Sequence, residues 1–154
     1  MTVLIDRIGQ TGVDCLIWVG RVSKSEALAL PDRVEPALPQ FGYRWISYFD
    51  STADLSELDA PCLLALRDRL RPIVAVLAAK GPFRMILATN SRYNDPLLAV
   101  WQAIATLDAD YPSNPTIERD IPSAARALGL SAAEAEDARL WIESRVAEVS
   151  RDST

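Results

Sequence analysis

Two polar stretches hold the side chains whose types and spacing suit recognition. Asp50, Ser51 and Thr52 follow the aromatic and β-branched run Tyr43–Phe49, and Thr89, Asn90, Ser91, Arg92 and Tyr93 follow the apolar run Met85–Ala88. Each run suits a strand buried on both faces, as in the interior of a mostly parallel sheet. Polar residues at the C-terminal ends of adjacent parallel strands line the crevice where open α/β sheets take ligands and partners. Arg92 offers a planar set of donors and Tyr93 a rigid contact surface, and a mid-loop Arg-Tyr pair has no evident duty in holding the chain together. The chemistry expected of these eight residues is binding of a partner loop or a small polar ligand. The plainer account is that exposed loops are polar and that Asp95 is only a helix cap.

Bond-making chemistry has little support. The chain has no histidine, which removes Ser-His and Cys-His nucleophile pairs and most zinc sites. Cys15 and Cys62 sit in apolar contexts far apart, and free buried thiols are expected rather than a disulfide. Asp50, Asp54 and Asp59 lack the glycine-bearing loop of a calcium site. Gly9-Gln10-Thr11-Gly12 is not followed by the Gly-Lys-Ser/Thr of a phosphate loop. No catalytic residue, metal site or cofactor is therefore expected. A net charge of −5, with Lys24 and Lys80 the only lysines, argues against nucleic-acid binding. The longest apolar stretch, Pro72–Ala79, is too short to span a bilayer, and Asp6 and Arg7 interrupt any signal-peptide core. A cytoplasmic protein without membrane insertion is expected.

The elements that must position the two loops follow from pattern and punctuation. Met1–Ile8 reads as an edge strand and Gln10-Thr11-Gly12 as a turn. Asp14–Val22 is a second strand, with Gly20 marking a bulge or a close backbone approach. Ser23 and Glu26 have capping-box spacing, and Pro31, Pro36 and Pro39 predict a short or broken helix ending before Phe41-Gly42. Tyr43–Asp50 is a third strand. Asp59 caps a long helix that Pro72 kinks or divides and that Lys80-Gly81-Pro82 closes with a C-terminal glycine. After the Arg84 strand, Asp95 caps a helix with Pro96 at its first position, running to about Ala109. Leu97, Val100, Trp101, Ile104 and Leu107 share one face of it. Thr116–Asp120 is a short edge strand, and Pro122–Leu128 a helix stopped at Gly129. Ser131 and Glu134 form a second capping box, opening a helix with Ala135, Ala138, Ile142, Val146 and Val149 on one face. Arg151–Thr154 should fray. The chain reads as one α/β domain, residues 1–154. A mixed, mostly parallel sheet of about five strands carries packed helices, and residues 131–150 form a C-terminal helical extension of the same domain. The four tryptophans are expected in the core, Trp141 being the likeliest exception.

This order resembles the STAS domain, and more closely the small bacterial SpoIIAA-like proteins that share that fold with the lipid-carrier superfamily. The resemblance is carried by DCLIWVGRV followed by a helix start, by DLSELDAPCLLAL (Asp54–Leu66), and by FRMILATNSRYNDPLLAVWQAIATL with TIERDIPSAARAL. It covers about Val3 to Leu128. It implies a non-enzymatic binding or regulatory domain that engages a protein partner or self-associates as a dimer. The alternative it implies is a carrier or sensor of a small apolar ligand held between sheet and helices, with Leu63–Leu77 as a mobile wall. Where anti-sigma antagonists have an aspartate, a small residue, a phosphorylatable hydroxyl and a glycine, this chain has Asp59, Ala60, Pro61 and Cys62. Pro61 cannot accept phosphate, and no phosphorylation switch is expected at the nearby Thr52 or Ser56.

Overall fold

The computed structural model describes residues 2–152. Strands β1 (Val3–Arg7), β2 (Asp14–Trp18), β3 (Arg44–Phe49), β4 (Arg84–Thr89) and β5 (Thr116–Glu118) form one sheet in that spatial order. β1 and β2 are an antiparallel pair, and β2 to β5 run parallel. The class is therefore α/β with a mixed five-stranded sheet. The helices are α1 (Lys24–Val34), α2 (Ala60–Ala78), α3 (Asp95–Leu107), α4 (Ile121–Ala127) and α5 (Ala132–Asp152), with a 3-10 turn over Glu35–Gln40. Among the described residues, no helix is long and apolar enough to cross a membrane.

Strand order dictates the layers. Each parallel connection steps to the next strand in the same direction, and right-handed crossovers then place every connecting helix on one face. Accordingly Leu16, Trp18, Trp45, Phe49 and Leu87 pack against Leu30 of α1, Leu63 and Ile73 of α2 and Leu98 of α3. The alternate residues Cys15, Ile17, Ile46, Tyr48, Ile86 and Ala88 face the other way, against Ala124 and Ala125 of α4 and Ala135, Ala138 and Ile142 of α5. The late helices thus cover a face the crossovers leave bare.

Several local features differ from the sequence expectation. β2 stops at Trp18, because Gly20 takes a left-handed φ of +66° and turns the chain; an added Cβ would meet only Thr2 Cγ2 at 3.9 Å, so backbone crowding is not the reason. α1 continues through Pro31, and the other two prolines fall in the 3-10 turn. α2 passes Pro72 as one helix. An interior proline costs about 3 kcal/mol. Leu63, Leu66, Ile73, Val74 and Leu77 are all buried on either side of it, and each such burial is worth about 2 kcal/mol. Gly81 does not supply a left-handed cap; a Cβ there would lie 2.5 Å from the Tyr43 ring, so close packing requires the glycine. On α3, Leu97, Trp101 and Ile104 pack against the core as their spacing implies, but the fully buried positions are Leu98 and Ala105, and Val100 and Leu107 are exposed. The α5 helix extends to Asp152, where fraying was expected; Ser153 and Thr154 lie outside the described residues.

Candidate functional site

The two polar loops meet. Phe49 and Thr89 are register partners at the ends of β3 and β4, so both loops leave the same edge of the sheet. The tie between them is Asn94, which is buried. Its Nδ2 donates to the Ala53 carbonyl at 2.8 Å, and its Oδ1 accepts from the Leu55 amide at 3.2 Å. Asn94, not Asp95, occupies the cap position of α3, with its side chain turned across to the neighbouring loop. Asp95 begins the helix instead and pairs with Arg119 at 2.9 Å.

Most of the expected site residues are engaged in holding these loops. The Asp50 carboxylate accepts from the Thr52 amide at 3.2 Å and from the Thr52 hydroxyl at 2.7 Å. The Thr52 oxygen in turn accepts from the Gly20 amide at 3.1 Å. Thr89 is fully buried, donating its hydroxyl to the Ser91 carbonyl at 2.9 Å and accepting from the Ser91 amide at 3.2 Å. Ser91 Oγ accepts from the Tyr93 amide at 3.2 Å. Ser51 and Asn90 are exposed. Arg92 and Tyr93 point outward; the Arg92 side chain is 84% exposed, and its Nη1 is 4.0 Å from Asp95. Hydrogen bonds from Ser56 hold the Asp54 carboxyl below its ordinary value, with Arg21 and a hydrogen bond from Tyr93 adding to this. The crevice is a neatly tied polar edge with an Arg-Tyr pair on its rim.

The helix start at Asp59 is equally committed. One carboxylate oxygen caps α2 by accepting from the Cys62 amide at 2.9 Å, and the other pairs with Lys24 at 2.6 Å. Cys62 and Cys15 are free and buried. Burial pushes the Cys15 thiol up to about 12, which keeps it protonated and inert at neutral pH.

A second feature lies inside. Between the sheet face that carries Leu16, Ser47 and Leu87 and the helices α1, α2 and α3 there is a partly open cavity of about 100 Å³. Leucine, tryptophan and phenylalanine dominate its lining, and among the described residues no charged side chain contributes to it. Its hydroxyls are those of Ser47, Tyr111 and Ser113. Burial raises the Tyr111 phenol well above its ordinary pKa, so the cavity is uncharged across the usable pH range.

No family model matches the chain, and no curated protein matches it. Sequence reasoning missed Asn94; for the cavity it offered only the Leu63–Leu77 wall of the carrier alternative, of which Leu63, Leu66, Leu70, Ile73, Val74 and Leu77 line it. One further sign was available: in RWISYF, Ser47 occupies the alternating position that Trp45 and Phe49 give to the core. A hydroxyl in that row is out of pattern.

Proposed function

We propose that this chain is a non-enzymatic binding domain of SpoIIAA-like type that holds a small apolar ligand between its sheet and its helices. The cavity carries this reading. Natural cores leave few voids larger than a water molecule. Left unfilled, a void of about 100 Å³ would cost at most about 2 kcal/mol of stability at the usual cavity coefficient. An occupant recovers that loss. Voids of about 150 Å³ lined by aliphatic and aromatic side chains take up benzene; this one is smaller, at about 100 Å³, so an aromatic occupant must also move the lining side chains apart.

Native mass spectrometry of protein purified from cells tests the proposal. A small organic adduct that is lost on unfolding supports it. Protein that is always free of adduct, and whose melting temperature does not rise in benzene-saturated buffer, overturns it.

A second reading rests on the exposed Arg92 and Tyr93 beside the N-terminus of α3: docking of a cytoplasmic protein partner, or of a second copy, on the crevice. An acidic or carboxylate-bearing counterpart suits the arginine and the helix N-terminus. Loss of partner binding in Arg92→Ala/Tyr93→Ala, with stability kept, supports it.

A further inference from the structure

We propose that the occupant of the cavity is a neutral molecule bearing a hydrogen-bond acceptor, such as a ketone, ester or ether, which accepts the hydroxyl proton of Ser47. This rests on the cavity-binding reading above. Ser47 stands on β3 between its register partners Leu16 and Leu87 and is 3% exposed. The Trp18 indole Nε1–H donates to its oxygen at 2.8 Å. Among the described residues, that is the hydroxyl's hydrogen bond, and its own proton has no acceptor. A hydroxyl carries one donor as well as its lone pairs, and an unmet buried donor is costly. The indole bond polarises the hydroxyl and makes it a better donor.

The rest of the lining defines what else the occupant must be. Leu63, Leu97 and Leu98 offer only apolar contact, and among the described residues no arginine or lysine lines the cavity. A carboxylate or phosphate would lie there without a counter-charge, at a large desolvation cost. Tyr111 and Ser113, which also line the cavity, come from the loop between α3 and β5 and not from the sheet. Trp18 and Trp45 on the same face already spend their indole N–H groups on Ser47 and the Gly42 carbonyl, so among the described residues the Ser47 hydroxyl is the unengaged donor of the sheet floor, and it sets the orientation of a bound acceptor.

Three molecules of similar size and shape separate the possibilities: acetophenone, cumene and benzoate. Quenching of the tryptophans that line the cavity, Trp18, Trp45 and Trp101, reports their binding. Acetophenone is expected to bind about tenfold tighter than cumene, as one net hydrogen bond allows, and benzoate not measurably. Trp18→Phe/Ser47→Ala removes the hydroxyl together with the indole N–H that could replace it. Cumene binding should survive in this variant, with the preference for acetophenone erased. Equal binding of acetophenone and cumene to the unaltered protein, an unchanged preference in the variant, or benzoate binding as tight as acetophenone overturns the inference alone. Binding of neither neutral probe overturns the cavity reading as well. A measurement that needs no variant is the Trp18 indole proton resonance, which should move with acetophenone more than with cumene; an identical response to both overturns the inference.

Discussion

Arg7 and Asp14 face each other on the last rung of the β1–β2 pair, with Arg7 Nε 2.8 Å from Asp14 Oδ1. Asp14 is fully buried, and its other oxygen accepts from the Gly42 amide at 2.7 Å. This carboxylate joins the edge strand to the loop before β3, at the end of the sheet opposite the crevice. Asp14→Ala should cost about 2 to 3 kcal/mol, because it removes charge-assisted bonds and leaves the Gly42 amide unmet. Asp14→Asn, which keeps an acceptor for that amide, should cost less. Urea unfolding of the two variants gives the comparison, and a cost below about 0.5 kcal/mol for Asp14→Ala would count against this role.

Leu87→Asp should abolish folding. Leu87 is 2% exposed on an interior strand and borders an uncharged cavity. An ionised carboxylate there has neither water nor a cation. Soluble protein with an unchanged melting curve would refute the expectation.

The rim and the tie of the crevice should behave differently. Arg92→Ala/Tyr93→Ala removes side chains exposed to solvent, and its cost should stay within about 0.5 kcal/mol. Asn94→Ala removes the two buried bonds of this side chain to the Ala53 and Leu55 backbone, and should cost about 2 kcal/mol. Thermal melts rank them, and a larger loss in the rim variant would make Tyr93 a structural residue.

Glu26 gives the fold an acid-sensitive contact. Its carboxylate accepts from the Thr2 amide at 2.5 Å and from the Thr2 hydroxyl. Burial pushes this carboxyl up, but the Thr2 bonds prevail and hold it below its ordinary 4.5. A depressed folded pKa means that the folded chain binds fewer protons than the unfolded chain. The stabilisation is present in full above 4.5 and is lost as pH falls through the folded value. Glu26→Gln should therefore be less stable than the parent at neutral pH, with the gap narrowing in acid. Chemical denaturation at several pH values measures this, and a gap independent of pH would refute it.

What was legible in the sequence was local. Asp59 before Pro61, and Ser131 with Glu134, identify helix starts because cap and helix lie within four residues; Ser131 and Glu134 exchange both bonds of the box. Where a distant partner competes, local pattern fails. Ser23 accepts from the Glu26 amide as expected, but the Glu26 carboxylate goes to Thr2 instead of completing the box. Asn94 and Asp95 both suit a cap, and the choice falls on Asn94 while its side chain serves Ala53 and Leu55 in the preceding loop. Pro72 stays within one helix because buried side chains flank it on both sides. The meeting of the two loops could be read from two apolar runs with polar ends. Which of their side chains turn inward could not, since Thr89 and Asn90 are alike in polarity and only one is buried. The cavity was the least legible feature, because a void depends on which neighbours fail to fill space.

During synthesis, all five strands leave the ribosome before α5 does. Ile17, Ile46 and Ile86 can assemble into a sheet while Ala138 and Ile142, which cover them, are still being made. At ordinary translation rates that interval lasts on the order of seconds. A nascent chain with one closed layer and one open apolar face is a substrate for chaperones and a hazard for aggregation. Completion of α5 is what ends this exposure.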